Sequence, residues 1–212
     1  MTASHTHRQR GFTLVELLLA TVMMGILGLA ILAFFTSSMR QATTTQAQGQ
    51  AQSDGRSSLD LLSNELRQAV SPDGGGTPPI ISLGQNSIEF YLDPRRDPTI
   101  TSVKPMKVRY QVTGGALVRD SAAPVGANPP YTYPAYSGAV TLVPAVANTS
   151  VAPLFKAYDS NGSALGANIS SPATNAIVQL SLDLLVSYRN GNANTTLELN
   201  TDVVPRNPRT PR

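Results

Sequence analysis

The sequence has no cysteine, which excludes a disulfide framework and a thiolate metal site alike. Its only histidines, His5 and His7, stand at the extreme amino terminus, so beyond them no imidazole is available as a base near neutral pH. Charge is scarce as well. Asp, Glu, Lys and Arg make up 14% of the 212 residues, against about 25% in an average soluble protein, and the surface is expected to be carried by uncharged polar groups. The formal charge of +3 includes Arg8 and Arg10, without which basic residues lead acidic ones by only one. That balance is a poor nucleic-acid signal. A G-x-S-x-G elbow, a phosphate loop and a pair of metal-binding histidines are all missing. The expectation is therefore a protein that is not an enzyme, with no cofactor and no metal.

What the chain does have is one concentrated apolar run. From Phe12 to Phe35 the only ionisable side chain is Glu16, and at about 1.5 Å per residue a helix of that length crosses the ~30 Å hydrocarbon core of a bilayer. Arg8 and Arg10 precede the run and Arg40 follows it. The positive-inside rule then puts the amino terminus in the cytoplasm and the bulk of the chain outside. An ordinary secretory signal has its cleavage site after the apolar core, whereas here a short basic piece, Met1 to Gly11, comes first.

Within the run, Glu16 is costly: a carboxylate inside a membrane span is unfavourable by about 2.5–3.5 kcal/mol even on lenient scales, and usually has a partner. A simpler reading is that Glu16, near the cytoplasmic end, reaches the interface. Thr21, Gly25 and Gly28 lie three and four residues apart, which sets small residues on one helical face where another helix can approach; glycine is also simply common in membrane helices.

The residues Gly11-Phe12-Thr13-Leu14-Val15-Glu16-Leu17-Leu18 closely resemble the prepilin signal of type IV pilins and type II secretion pseudopilins. The resemblance implies a prepilin peptidase that cuts after Gly11 and N-methylates the new amino terminus at Phe12. Glycine before the cut leaves extended backbone unobstructed in a peptidase site. In the family, Glu16 would pair with the amino group of a neighbouring subunit and set its axial register. Many major pilins have a proline in the later part of this span, and this chain has none there, which puts local melting of the helix in doubt.

Beyond the span the helical pattern continues. Arg40 to Asp54 is polar, with Gly49 and Gly55 as weak points of ~1 kcal/mol each relative to alanine. Leu59, Leu62, Leu66 and Ala69 then recur at intervals of three and four, with Leu61 beside them, as an amphipathic stripe suited to a sheet. Pro72 and Gly74-Gly75-Gly76 are expected to end it. The spacing thus predicts one helix over 12–70.

After the glycines the period becomes two. Strands are predicted at Ile88 to Leu92 and at Met106 to Val112, the latter turning at Gly114-Gly115 into Ala116 to Arg119. The clearest hairpin comes last: Val178, Leu180, Leu182, Leu184 and Val186 on one side, a turn at Asn190-Gly191, then Leu197, Leu199, Thr201 and Val203. Together these read as an antiparallel sheet with one face on the helix. Ser121 to Ser137 and Val151 to Pro172 read as loops, the second with a short apolar centre at Leu154-Phe155. Tyr131, Tyr133 and Tyr136 could form a contact patch for another subunit or pack on their own domain. Asp159-Ser160-Asn161-Gly162 reads as a plain turn rather than a calcium loop, and the glycan-like triplets at Asn148 and Asn194 as chance matches.

Phe155 to Gly162, the strand Ile177 to Val186 and the close Leu199 to Asn207 are similar to the closing section of W-type minor pilins and J-type minor pseudopilins; Ser58 to Ala69 has the look of the same group. The resemblance implies an α+β, pilin-like fold: leader 1–11, membrane and assembly half of the helix 12–35, periplasmic half 36–71, and a β-rich head 72–212. It implies an inner-membrane protein with a cytoplasmic amino terminus that later enters a periplasmic or cell-surface filament. The partners implied are prepilin peptidase, other major and minor pilins or pseudopilins, the inner-membrane assembly platform and, before assembly, membrane lipid. Three functions follow: a minor pilin serving motility, adhesion or DNA uptake, a minor pseudopilin of type II secretion, or a DNA- or ligand-binding tip module. Arg95-Arg96, Arg206, Arg209 and Arg212 motivate the last, although scattered arginines are usually just solvated.

Overall fold

A first-turn cap and a long run of good helix formers give one helix, α1, Leu14–Arg67, with no proline to interrupt it. The structure, a computed structural model, describes residues 12–73, 76–93, 104–191 and 193–205. The contacts group the chain into two units, Met1–Thr45 and Gln46–Arg212. In the first, the apolar side chains of α1 are exposed, from Leu14 to Met39. In the second, Ala51, Leu59, Leu62 and Leu66 are buried against strands while Leu61 is 38% exposed, which is the stripe expected from the sequence. The helix stops before Pro72. Gln68 and Ala69 donate to the carbonyls of Glu65 and Leu66, tightening the last turn, and the Val70 N–H is taken up at 2.9 Å by the Tyr91 carbonyl. The chain thus leaves α1 already paired with a strand before it reaches Pro72.

The strands follow in chain order as β1 Ile80–Leu83, β2 Ser87–Leu92, β3 Met106–Thr113, β4 Ala116–Ala122, β5 Ser137–Val143, β6 Phe155–Tyr158, β7 Ile169–Ser170, β8 Gln179–Asn190 and β9 Ala193–Val203. The two sequence-predicted hairpins are present, β3–β4 through Gly114 and Gly115, both at positive φ, and β8–β9 turning at Gly191; the strand expected at Ile88 to Leu92 is β2, which pairs with β3. Four shorter or irregular strands, β1, β5, β6 and β7, were not expected, and two of them, β6 and β7, lie in the segment read as a loop.

The single sheet expected from the sequence is divided. A six-stranded sheet runs β5-β4-β3-β2-β1-β7 and a three-stranded sheet runs β6-β8-β9, all pairs antiparallel. After β5 the chain crosses between them: Ala147 donates to Leu185 and Ser187 to Ala145 at 2.8 and 2.9 Å. Asn148 anchors the crossing. Its amide nitrogen donates to the carbonyls of Ala152 and Asp183, and its oxygen accepts the Leu185 N–H. Buried with its side chain committed, Asn148 is a structural residue and not a glycan acceptor.

Both sheets contribute to one core. Phe90, Val108, Tyr110 and Leu117 from the larger sheet and Leu180, Leu182, Leu184 and Val186 from the smaller are buried with Leu62 and Leu66 of α1. Alternation of these positions with polar ones is what made β3 and β8 legible. Gly55, taken from the sequence as a weak point, is a close-packing position: an added Cβ would collide with Leu199 and stand 3.0 Å from Val186. A side chain there would require Leu199 and Val186 to give way.

Candidate functional site

Helix α1 begins with a reciprocal cap. The Glu16 backbone N–H donates to the Thr13 hydroxyl at 3.3 Å, and the Glu16 carboxylate accepts from the Thr13 backbone N–H and hydroxyl, both at 3.1 Å. This is a capping box, in which residues three apart satisfy each other's exposed groups. The acidic side chain also faces the positive end of the helix dipole. Sequence reasoning singled out Glu16 and overlooked Thr13, although the T-x-x-E spacing at the mouth of an apolar run was the signal.

Around this cap the surface is apolar. Phe12 is 84% exposed, and Leu14, Val15, Leu17, Leu18 and the larger side chains onward to Phe35 are exposed too. None of the most apolar stretch of α1 is buried, and by length and composition the helix can cross a membrane. Thr21 donates its hydroxyl to the Leu18 carbonyl at 2.9 Å, which turns its polar group back onto the helix. Gly25 and Gly28 have nothing within 4 Å of where a Cβ would stand. Thr21, Gly25 and Gly28 are small residues on an exposed part of α1. Gly11 lies outside the described residues, as do Arg95, Arg96, Arg206, Arg209 and Arg212.

The second unit holds the polar groups that the sequence did not single out. Glu65, one turn from the end of α1, accepts 2.7 Å from the Tyr110 hydroxyl and is gripped by Arg119 through Nε at 3.0 Å and a second nitrogen at 2.8 Å. Both ionic partners are largely covered, with side chains 20% and 13% exposed. Burial first, then the Glu65 carboxylate, push the Tyr110 phenol well above its ordinary value. For Arg119 burial opposes the charge, and the hydrogen bond and attraction of Glu65 outweigh it, leaving the guanidinium raised. The three residues tie the helix to the sheet. Nothing local to Glu65 forecasts partners 45 and 54 positions away.

On the opposite face of the six-stranded sheet, Arg109 pairs with buried Asp120 across the β3–β4 ladder, and Lys107 stands 3.4 Å from Glu89. The loop after β4 folds back over these charges. Tyr136 lies 4.2 Å from the Arg109 guanidinium and 4.9 Å from the Lys107 ammonium, measured to its ring centre. Tyr133 packs on Tyr91 with ring centres 5.4 Å apart and donates to the Pro105 carbonyl at 3.0 Å. Burial and then Tyr91 push the Tyr133 phenol up to about 12. Of the two uses considered for these tyrosines, packing on their own domain holds for Tyr133 and Tyr136.

Among the described residues no three His, Cys, Asp or Glu side chains converge as a metal site. The Asp159 carboxylate accepts the N–H groups of Asn161 and Ser163 at 2.8 and 2.9 Å, and Gly162 has positive φ, which is the plain turn expected. A shallow groove of about 550 Å³ runs between Arg56, Leu59 and Asp60 of α1 and Glu198 to Thr201 of β9. Its open, mixed lining lacks the convergent polar groups of a small-molecule site.

Comparison with known proteins returns to the amino terminus. Residues 6–32 match the family model described as the prokaryotic N-terminal methylation motif, and the match supports the type IV pilin and pseudopilin superfamily. Among solved structures, a chain of the GspK-GspI-GspJ complex of the enterotoxigenic Escherichia coli type 2 secretion system is similar over 76% of this chain and 99% of its own length. Its identity is 13% and its TM-score 0.43. The fold is an amino-terminal helix, apolar in its first part, whose later part packs on antiparallel sheets.

Proposed function

We propose that this chain is a minor, non-catalytic structural subunit of a type IV pilin-like filament, made as a precursor and cut after Gly11 by a prepilin peptidase that methylates Phe12. The observation that carries the reading is the single carboxylate of Glu16 at the mouth of an otherwise uncharged run, inside the stretch that matches the methylation motif. Before assembly the span anchors the protein once in the cytoplasmic membrane, amino terminus inward, and the capping box with Thr13 moderates the cost of holding Glu16 there. On assembly the carboxylate is exchanged onto the amino group of a neighbour's Phe12, and Thr21, Gly25 and Gly28 admit a neighbouring helix. The assembly platform and other pilins are the partners. A cell-surface pilus is the preferred machine. The similarity of Phe155 to Gly162 and Leu199 to Asn207 to J-type pseudopilins keeps a secretion filament as the second reading.

Mass spectrometry of the amino terminus, from cells with and without the prepilin peptidase, tests the proposal. A methylated Phe12 only when the peptidase is present is expected; an intact Met1 in normal cells, or a cut beyond Phe35, overturns it. Co-purification with pilus components or with secretion components separates the two machines.

A further inference from the structure

Cysteine and tryptophan are absent from the chain, and four of the five methionines lie between Met1 and Met39. The fifth, Met106, packs against the core, and a thioether gives up its electrons in pairs to become a sulfoxide. One-electron oxidation of the head therefore falls on its tyrosines. Most of these have no second phenol to couple with. Tyr110 is buried, with its ring stacked on Phe90 and its hydroxyl on Glu65. Tyr136 packs on Arg109 and Lys107. Tyr158 and Tyr188 stand on β6 and β8 of the other sheet. Tyr91 and Tyr133 differ: their ring centres are 5.4 Å apart with the planes tilted by 43°, and both residues are partly exposed. Tyr91 points outward because it alternates on β2 with buried Phe90 and Leu92. Tyr133 is held over it by its hydrogen bond to the Pro105 carbonyl, and by the backbone bonds at 2.8 and 3.1 Å that Val125 and Thr132 exchange across the neck of the loop.

We propose that Tyr91 and Tyr133 form an oxidative cross-linking site, at which a peroxide-derived one-electron oxidant joins them as a dityrosine and staples the loop after β4 to β2. Each phenol gives up one electron and one proton. The unpaired spin of each phenoxyl radical reaches the ring carbon beside the oxygen, and the two radicals pair to form one Cε–Cε bond. The hydrogen on each of those carbons then leaves as a proton while each oxygen regains one. The pair loses two hydrogen atoms in all, and one hydrogen peroxide is reduced to two waters. The rings start in contact, so the remaining approach lies within ordinary side-chain motion. The site belongs to the head by itself and does not depend on which filament the chain serves.

The test treats full-length protein, dilute in detergent, with hydrogen peroxide and a haem peroxidase. The expected product is a monomer lighter by two hydrogen atoms, with dityrosine fluorescence and a cross-linked peptide pair that contains Tyr91 and Tyr133. Its head should melt at a higher temperature than the untreated one, because a covalent link between residues distant in the chain restricts the unfolded state. Tyr133→Phe is expected to lower the yield of the cross-linked monomer several-fold, while Tyr131→Phe, two residues away in the same loop, leaves most of it. Tyr91→Phe replaces Tyr133→Phe if that variant fails to accumulate. No cross-link at all, a link between Tyr131 and Tyr133, dimers as the main product, or a yield indifferent to the loss of either Tyr91 or Tyr133 would overturn the proposal.

Discussion

Glu16 and Glu65 stand on the same helix, and what surrounds them is opposite. Glu65 is held by a tyrosine and an arginine delivered by β3 and β4, within its own fold. Among the described residues, Glu16 is held by Thr13 in its own first turn, among exposed Phe12, Leu14 and Leu17. The later part of α1 answers to this chain's tertiary structure; the earlier part does not. Substitutions in the two regions should therefore separate into those that unfold the head and those that leave it intact.

The largest loss of stability is expected at Gly55. Gly55→Leu drives a side chain into Leu199 and Val186 and should cost about 3 kcal/mol or more, lowering the head's melting temperature in detergent-solubilised protein by about 6–12 °C. Next is the buried pair. Glu65→Ala leaves Arg119 and the Tyr110 hydroxyl without their acceptor and should cost about 2–3 kcal/mol by thermal or denaturant unfolding. Adding Arg119→Met should restore part of that loss; purely additive losses would mean the latch is not coupled.

A pH effect follows from the tyrosines. Tyr133 is pushed up to about 12 from 10.0, chiefly by burial. A raised acid binds its proton more tightly when folded, so this contribution is complete below pH 10 and disappears as pH rises through about 12. Tyr91, Tyr110 and Tyr136 are raised for the same leading reason. Absorbance of ionised phenol should thus lag behind free tyrosine and then rise together with loss of folded signal. Early titration of Tyr133 in the folded state would contradict the packing described for its loop.

The smallest effect belongs to Thr13. Thr13→Ala removes one side of the capping box and should cost ~1 kcal/mol, confined to the first turn of α1 and visible as faster amide exchange there. The head's melting temperature should not move. A change in the head would break the separation of the two regions.

Legibility in the sequence follows the same division. Where a residue's environment is set by its near neighbours, the pattern showed: the apolar run, the Leu59-Leu62-Leu66 stripe, and the alternation in β3 and β8 all reflect burial on one face. β5 was invisible because both its faces are exposed over Ser137 to Thr141, which leaves no alternation to read. β6 is only four residues long, and the order of strands that splits the sheet in two depends on partners that a period of two does not encode. Gly55 looked like a helix weak point and Glu65 drew no reading, because Leu199 and Arg119 reach them from distant parts of the chain.

The central claim is that Glu16 serves other subunits rather than its own fold, and one variant tests it most directly. Glu16→Leu makes the span more apolar, so the protein should still insert and its head should melt as the parent does. Its share of the sheared filament fraction, measured against the membrane fraction by immunoblot, is predicted to fall on the order of tenfold or more, as expected from losing a charge pair worth at least ~1.4 kcal/mol in the membrane. Incorporation at the parent level would contradict the account.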